Sequence, residues 1–336
     1  MPFLKPDTDY NIINELDNYI TQKHYRLVNS VLIYKNEEIL VERYYNKFNK
    51  ESRNNLKSVW KSIIEICAGI CLDKGYIKSL NDPVSDYIPI FDGSCHPYHK
   101  MLKIKHLLTM TSGIYWNGGI HYHCPMIIQC MRSGNITEYI SDIYMKDIPG
   151  TVFVYKEWDV LLASVLIQKA SGMNTYDFCN EYLYKPLNIK SCRWFTSPDG
   201  VCYTIPGNNY NGTDGNAEEA KSDLSARDMA KIGILMLNRG IYNGNRIISQ
   251  NLAEQITTPS EKILGQKIQD NTKWGNKYGM FWWLGDNWYA AHGFGGQRIT
   301  VIPDKNIICV IQAKPTASGK NYDDLLSYII KFLEHI

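Results

Sequence analysis

The sequence predicts a mixed α+β protein: an antiparallel sheet built from both ends of the chain and flanked by helices, with a mostly helical lobe inserted in the middle. Strand patterns occur near both ends of the chain, whereas helix and loop signals fill the region between them. We therefore predict an α/β sheet domain from residues 1–75 and 221–336 and an inserted, mostly helical domain over residues 76–220. A chain of 336 residues is long enough for two packed lobes.

The first elements alternate between helix and strand. Apolar residues at helical spacing predict an amphipathic helix over residues 8–23. The stretch "RLVNSVLIYKNEEILVERYY" predicts two strands joined by the polar turn "KNEE". The next helix begins near Ser58 and ends at Gly75, because glycine readily adopts the left-handed conformation that terminates helices.

Three further helices are predicted from apolar periodicity followed by glycine. A short helix in "KIKHLLTMTSG" ends at Gly113, and two longer ones end at Gly172 and Gly240.

The last part of the chain changes to strand patterns. The stretches "WYAAHG", "QRITVIP" and "IICVIQAK" predict three strands, followed by a closing helix over residues 321–335.

Composition and charge exclude several classes of function. The 36 basic and 34 acidic residues give a net charge of +2, which predicts no nucleic-acid partner. No stretch approaches the roughly 18 apolar residues of a membrane span, and the N-terminus lacks a signal-peptide pattern, so we expect no membrane association and a cytoplasmic location. The nine cysteines are irregularly spaced and favour reduced thiols. No pattern in the sequence predicts an oligomeric state.

The stretch "LKSVWKSIIEICAG" places Ser58 and Lys61 on one face at the start of a predicted helix. A serine hydroxyl becomes a good nucleophile when a base takes its proton, and a lysine is such a base only when neutral. Burial lowers the pKa of a lysine, and the apolar flanking residues favour burial. A serine three places before a lysine is nevertheless expected about once by chance in such a chain. The pair therefore needs further evidence.

Three later stretches supply that evidence in order: "IKHLLTMTSGIYW", "FVYKEWDVLLASVLIQKASG" and "YAAHGFGGQRITVIP". Together with the Ser58-x-x-Lys61 pair they resemble the serine β-lactamase and penicillin-binding-protein superfamily. The resemblance is to the class C-like branch, which includes carboxylesterases and 6-aminohexanoate-dimer hydrolases. It covers residues 25–315 and implies a fold like that of β-lactamases and D,D-peptidases.

The resemblance implies a role for each matching residue. Ser58 corresponds to the nucleophile, Lys61 to its proton acceptor and Tyr155 to the tyrosine that shuttles the proton. In this family, acyl transfer uses two backbone N–H groups that stabilise the oxyanion. The N–H of Ser58 corresponds to one of these donors.

The third family motif, Lys/His-Thr/Ser-Gly, best fits "AHGF". In this alignment Ala291 takes the cationic position, His292 the hydroxyl position and Gly293 the glycine position, and Phe294 supplies the second oxyanion N–H. An alternative register places His292 at the cationic position and Gly295 at the donor position. We prefer the first register, in which Gly293 lets the backbone approach the substrate closely.

Two departures from the family pattern bear on activity. The second motif reads Tyr155-Lys156-Glu157 instead of Tyr-x-Asn. If the Glu157 carboxylate points into the cleft, it favours the charged form of Lys61 and makes it a worse base; if it points outward, it has no effect. Asp159 is expected to cap the helix that follows.

The second departure concerns the third motif and the substrate. Ala291 replaces the lysine that holds the substrate carboxylate in β-lactam-binding enzymes, so the sequence favours an ester or a small amide over a β-lactam. Arg298 either replaces this charge or faces solvent. Trp116 lies next to a family motif and is expected either to line the substrate pocket or to fill the core.

A metal site is not predicted. The stretch "HYHC" at residues 121–124 contains two histidines and a cysteine that could bind zinc, but no further cluster follows at a suitable spacing. We expect neither a metal nor a cofactor, and we assign the stretch to a loop near the mouth of the cleft.

The sequence therefore predicts a serine hydrolase that cleaves a small-molecule ester or amide through an acyl-enzyme on Ser58, with Lys61 and Tyr155 relaying the proton. Two alternatives remain at this point. One is a penicillin-binding D,D-peptidase or β-lactamase. The other is a non-catalytic binding module with the same fold.

Overall fold

A computed structural model describes residues 10–21, 25–118, 125–190, 194–203, 223–258 and 277–314, together with positions 325, 328 and 329. The described residues form nine α-helices, of which α2 and α6, with 15 residues each, are the longest. Their bounds are α1 Tyr10–Thr21, α2 Val59–Asp73, α3 Ile104–Leu108, α4 Pro125–Ser133, α5 Ile136–Ser141, α6 Glu157–Ser171, α7 Thr175–Cys179, α8 Ala226–Leu237 and α9 Gln250–Ile256.

The main sheet has seven strands in the order β2-β1-β13-β12-β11-β10-β9, and three two-stranded ladders pair β3 with β6, β4 with β5 and β7 with β8. The bounds are β1 Val28–Lys35, β2 Glu38–Tyr44, β3 Arg53–Asn55, β4 Phe195–Thr196, β5 Cys202–Tyr203, β6 Asp223–Ser225, β7 Ile241–Tyr242, β8 Asn245–Arg246, β9 Lys277–Tyr278, β10 Trp283–Leu284, β11 Tyr289–Gly293, β12 Gln297–Ile302 and β13 Ile307–Ala313.

The predicted sheet from both termini is confirmed. β1 pairs antiparallel with β13. β13 pairs with β12, and β12 pairs with β11, both also antiparallel. Because side chains alternate between the faces of a strand, the register fixes two buried faces. One face packs with α2 and α8 through Leu32, Ile299, Val301, Ile308 and Val310. The other packs with α1 through Val31, Ile33, Ile307, Cys309 and Ile311.

The inserted region contains α3 to α7, as the helix signals predicted. One continuous hydrophobic cluster nevertheless includes α2, α6 and the inner face of the sheet. The proposed boundaries of the two domains, residues 1–75 with 221–336 and residues 76–220, therefore stay a prediction.

Helix ends agree with the predictions in most cases. α6 ends at Gly172, whose φ is 71°, and α2 is followed by Gly75 with φ 76°. The expected end of α3 at Gly113 is wrong. α3 ends earlier because Met110 is left-handed, and Gly113 instead forms a turn in which a Cβ would lie 2.0 Å from the carbonyl oxygen of Asp147.

Most of the predicted closing helix, residues 321–335, lies outside the described residues.

Two further observations concern the apolar length of the helices and the state of the cysteines. None of the helices in the described part of the chain is long and apolar enough to cross a membrane. The seven cysteines in the described ranges are all free thiols, as their irregular spacing predicted.

Gly233 allows α8 to lie directly on the sheet, and we expect Gly233→Ala to destabilise the protein by about 1–3 kcal/mol. A Cβ at this position would lie 2.6 Å from Cγ2 of Ile308 and 3.1 Å from Cγ2 of Ile299. Both methyl groups belong to β-branched side chains, which have little freedom to move away. The measurement is the free energy of unfolding in urea.

Gly69 provides the matched control, because it is also helical and a Cβ there would come no closer than 3.8 Å to Cδ1 of Leu252. Alanine improves helix propensity by about 0.5–1 kcal/mol over glycine, so Gly69→Ala is expected to be neutral or stabilising. Equal effects at the two glycines would contradict the close packing of α8 on the sheet.

Candidate active site

Ser58 follows a short strand and a strained turn. β3 ends at Asn55, whose side-chain oxygen accepts a hydrogen bond from the Lys57 N–H at 2.9 Å. Lys57 has φ 49°, a left-handed conformation that is uncommon for a residue with a side chain and that concentrates at functional sites. Ser58 is the cap residue of α2, where backbone N–H groups lack partners within the helix.

A buried amine joins Ser58 to an acidic residue. Lys61 Nζ donates to Ser58 Oγ at 3.0 Å and lies 2.7 Å from each carboxylate oxygen of Glu157. The side chains of Lys61 and Glu157 are only 3% and 13% exposed. Glu157 is the first residue of α6, so the packing of α6 against α2 brings its carboxylate to the lysine. Of the two orientations open for Glu157, the structure has the inward one.

Tyr155 completes this cluster. Its ring lies beside the buried amine, with Lys61 Nζ 5.1 Å from the ring centroid. Burial raises the pKa of Tyr155, and the negative charge of Glu157 raises this pKa further. The phenol therefore keeps its proton at neutral pH and is a hydrogen-bond donor within the site.

An aromatic wall holds the Tyr155 ring. The ring centroids of Trp283 and Tyr278 lie 5.5 Å and 6.1 Å from that of Tyr155. Phe153 packs on Tyr278 in turn, at 5.1 Å. Aromatic pairs at these separations fix ring orientation, so the position of the Tyr155 hydroxyl is set by its neighbours.

A second charged cluster is buried behind Tyr155. Lys156 Nζ donates to Ser112 Oγ at 3.1 Å and to Asp159 Oδ2 at 3.3 Å, and Ser112 Oγ donates to Asp159 Oδ1 at 2.5 Å. Burial lowers the pKa of Lys156 and raises that of Asp159. Because a buried ion pair is lost only at high cost in free energy, this cluster anchors the backbone that carries Tyr155 and Glu157.

The predicted role of Asp159 as a helix cap is wrong. Lys156 occupies the cap position of α6, and Asp159 lies inside the first turn with its side chain directed at Ser112 and Lys156. The reason is tertiary: the loop that carries Ser112 offers a buried hydroxyl, and the aspartate pairs with it instead of with its own helix.

The hairpin between β11 and β12 packs against the segment before Ser58. A Cβ on Gly293 would lie 2.3 Å from the carbonyl oxygen of Leu56 and 3.1 Å from Cβ of Lys57. No residue larger than glycine fits there. The next residue, Phe294, begins the turn, which continues through Gly295 and Gly296 with φ 79° and 92°. Phe294 therefore follows directly the point at which the hairpin touches the Ser58 segment.

His292 and Arg298 lie on the other face of the sheet. They are opposite each other in the register of β11 and β12, and Arg298 is opposite Ile311, whose side chain packs on the α1 side. Burial and the charge of Arg298 lower the pKa of His292 well below its usual value. Strand alternation places its imidazole on the face opposite to Ala291, and a role for His292 in substrate binding stays a prediction.

Arg298 matches neither of its two predicted positions. It is buried, so it does not face solvent, and its guanidinium carbon lies 5.4 Å from the Trp288 ring centroid. Its side chain therefore does not replace the missing cation beside Ser58. Ala291, in contrast, faces α2 and is fully buried, which agrees with the preferred register of the third motif.

Trp116 is among the described residues, whereas the histidine-rich stretch is not. Trp116 is half-buried and meets Trp158 edge to face, with ring centroids 5.0 Å apart, so a role at the substrate pocket stays a prediction. The "HYHC" stretch, residues 121–124, lies outside the described residues. Within the described ranges, no three His, Cys, Asp or Glu side chains are grouped so that they could hold a metal ion.

Sequence reasoning missed the Lys156–Asp159–Ser112 cluster and the strain at Lys57. The spacing of Lys156 and Asp159 is that of an ordinary exposed helical pair, and only their complete burial distinguishes them. The polar dipeptide Asn54–Asn55 before Lys57 was the available signal for a turn, since asparagine side chains stabilise left-handed neighbours.

The fold is that of solved β-lactamase-like and penicillin-binding-protein structures. The chain belongs to the Beta-lactamase family, whose model matches residues 16–329. The resemblance inferred from the ordered motifs is therefore confirmed.

Individual relatives are distant in sequence but similar over most of their length. The 6-aminohexanoate-dimer hydrolase of Paenarthrobacter ureafaciens is 21% identical over 315 residues, covering 89% of this chain and 76% of the relative. The structure of a family VIII carboxylesterase has a TM-score of 0.73 at 15% identity, covering 100% of this chain and 99% of the other. An octameric penicillin-binding protein homologue from Pyrococcus abyssi has a TM-score of 0.69 at 19% identity, covering 96% and 77%.

Glu65 lies further along α2, on the helix that carries Ser58 and Lys61, and we expect it to make stability dependent on pH. Its carboxyl is buried, and burial raises the pKa of Glu65 well above its usual value. The folded protein therefore keeps this proton while the unfolded chain loses it above about pH 4.5. Stability contributed by the protonated group is complete below that pH and falls as pH rises, by up to about 1.4 kcal/mol per pH unit.

Glu65→Gln removes this titration, so its free energy of unfolding is expected to fall less than that of the wild type between pH 5 and 8. Denaturant unfolding at several pH values measures the difference. Glu51, whose side chain is 71% exposed, is the control, and Glu51→Gln is expected to follow the wild type. Parallel curves for wild type and Glu65→Gln would contradict a protonated Glu65.

Proposed function

We propose that this protein is a serine hydrolase that cleaves a small-molecule ester or amide through an acyl-enzyme on Ser58. The observation that carries the proposal is one contact group: Lys61 Nζ donates to Ser58 Oγ at 3.0 Å, and the same Nζ lies 5.1 Å from the centroid of the Tyr155 ring. Nucleophilic acyl transfer requires such a hydroxyl, a base and a proton donor in mutual reach. The named activities of the 6-aminohexanoate-dimer hydrolase and the carboxylesterase support the proposal.

The proposed reaction has two half-reactions. Ser58 Oγ attacks the carbonyl carbon while its proton moves to Lys61 Nζ, and the carbonyl oxygen becomes an oxyanion. The intermediate then expels the alcohol or amine, which receives a proton through the Tyr155 hydroxyl. Water hydrolyses the resulting ester with the same groups acting in reverse, which releases the acid and restores Ser58.

Glu157 is proposed to accept a proton from Lys61. The lysine accepts the serine proton only as a neutral amine, and both carboxylate oxygens of Glu157 lie 2.7 Å from Nζ. A substrate in the cleft covers the partly exposed carboxylate and excludes its remaining water. Because a dry environment disfavours separated charges, it favours transfer of the proton from ammonium to carboxylate.

The oxyanion is proposed to be held by the backbone N–H groups of Ser58 and Phe294. The first lies at the N-terminus of α2, and the second follows Gly293, which touches the backbone just before Ser58. Two fixed donors of this kind each stabilise a developing oxyanion by about 3 kcal/mol. Both donors belong to packed backbone, so little reorganisation is needed during reaction.

The proposed substrate is an ester or small amide in preference to a β-lactam. Ala291 stands where the family resemblance places a cation for the β-lactam carboxylate, and Arg298 lies on the opposite face of the sheet. The non-catalytic alternative is less well supported, because Lys61 keeps its hydrogen bond to Ser58 while it is paired with Glu157.

Ser58→Ala is expected to abolish turnover of a p-nitrophenyl ester and labelling by a fluorophosphonate probe. Loss of a nucleophile costs at least about 10³-fold in kcat. Intact-protein mass spectrometry shows the adduct directly. Ser62 is the matched control on the same helix, because its hydroxyl donates to the Phe281 carbonyl and not to the site. Equal labelling and turnover in wild type and Ser58→Ala would contradict the proposed function.

Glu157→Gln is expected to lower kcat for the same ester by about 10²-fold, the usual size of an acid–base contribution. The amide keeps the volume of the side chain but cannot take the proton from Lys61. Glu181→Gln removes a surface lysine–glutamate pair and is expected to leave kcat unchanged. A Glu157→Gln variant with higher kcat than the wild type would show that Glu157 holds Lys61 in its charged form and inhibits it.

A further inference from the structure

Two buried side-chain amides connect the segment before Ser58 to the β11–β12 hairpin. Asn54 Nδ2 donates to Gln297 Oε1 at 2.5 Å and to the carbonyl oxygen of Ala313 at 2.9 Å. Asn54 Oδ1 in turn accepts a hydrogen bond from Asn29 Nδ2 at 3.0 Å. Asn54 lies in β3, four residues before Ser58, so this network reaches the start of the nucleophile helix.

Gln297 holds the other side of the same junction. Its Nε2 donates to the carbonyl oxygens of Ala313 at 2.7 Å and Gly295 at 3.4 Å, while its Oε1 also accepts from the Ala313 N–H at 3.3 Å. Gln297 is directly opposite Gly293 in the hairpin, and its Cβ would lie 3.1 Å from a Cβ on that glycine. One side chain therefore bonds the turn, the neighbouring strand and Asn54.

We propose that Asn54 and Gln297 form an amide clamp that sets the separation of the Ser58 and Phe294 N–H groups. The clamp rests on the proposed function, because those two groups are its oxyanion donors. The two donors come from segments far apart in sequence, which the Asn54–Gln297 bond links across 243 positions. Asn54 and Gln297 are positioning residues: they act on the reaction only through the backbone that they hold.

The clamp is suited to this role because the side-chain amides of Asn29, Asn54 and Gln297 are all buried. Buried amides without partners are costly, so each bond constrains the next and the network has one favoured arrangement. The contact at Gly293 prevents the hairpin from moving closer to the Ser58 segment, and the clamp prevents it from moving away. Together they fix the distance in both directions.

The test compares Gln297→Met with Gln312→Met. Gln312 is an equally buried glutamine on the neighbouring strand, where it accepts from Ser30 Oγ at 2.8 Å and donates to the carbonyl oxygen of Leu224 at 2.8 Å. It does not bond the hairpin. Methionine keeps the length of glutamine and removes its amide in both variants. Melting temperatures by circular dichroism report the loss of stability in each.

Gln297→Met is expected to lower kcat for the p-nitrophenyl ester about 10- to 100-fold with KM unchanged, because a displaced donor weakens only the transition state. The inhibition constant of phenylboronic acid, which forms a tetrahedral anion on Ser58, is expected to rise by the same factor. Gln312→Met is expected to keep both values. Asn54→Ala is expected to match Gln297→Met, and the double variant to be no worse than either, since both break one unit.

Gln297→Glu keeps the acceptor for Asn54 and is expected to lose less kcat, which keeps the test decisive if the methionine variant does not fold. Wild-type kcat in the Gln297 variants, or equal kcat losses in the Gln297 and Gln312 variants at equal melting temperature, would overturn the clamp alone. Turnover that survives Ser58→Ala would instead overturn the proposed function and the clamp with it.

Discussion

The hydrogen bonds of the Lys61 ammonium are the interaction on which the rest of the site depends. A cation with almost no access to water requires a nearby anion, and Glu157 at the start of α6 supplies it. That requirement fixes how α6 meets α2, and with it the position of Tyr155 just before α6 begins. The ion pair thus fixes the packing of the two helices and also places a carboxylate next to the Lys61 amine.

A second constraint is the approach of two backbones at Gly293. The contact with Leu56 leaves no room for a side chain, and the amides of Asn54 and Gln297 are bonded beside it. The charged groups of Lys156 and Asp159 are buried behind Tyr155 in a comparable way. The residues proposed as nucleophile, proton relay and oxyanion donors therefore come from separate segments, and buried polar networks anchor these segments.

Local sequence patterns predicted the features that depend only on residues close together in the sequence. Strand alternation predicted β11 to β13, and glycine marked the end of α6. The motif order singled out Ser58, Lys61 and Tyr155, whose side chains lie together in the structure. The orientation of Glu157 was left open because it depends on how two helices cross. The face on which His292 lies depends on the strand register, because a one-residue difference along a strand exchanges the faces of the sheet. The pairing of Asn54 with Gln297 depends on the register of distant strands, which no local pattern encodes.

The sheet order has a consequence for biosynthesis. β13, the most C-terminal of the described strands, lies between β1 and β12. While the ribosome is still translating, the β1–β2 hairpin has no partner on its inner edge, and the Ser58 segment has no hairpin to pack against. N-terminal segments emerge from the ribosome first, so these strands wait for partners that are synthesised later. Such non-local pairing slows folding and leaves strand edges open to aggregation. The proposed active site is therefore completed only after β11 to β13 have been synthesised.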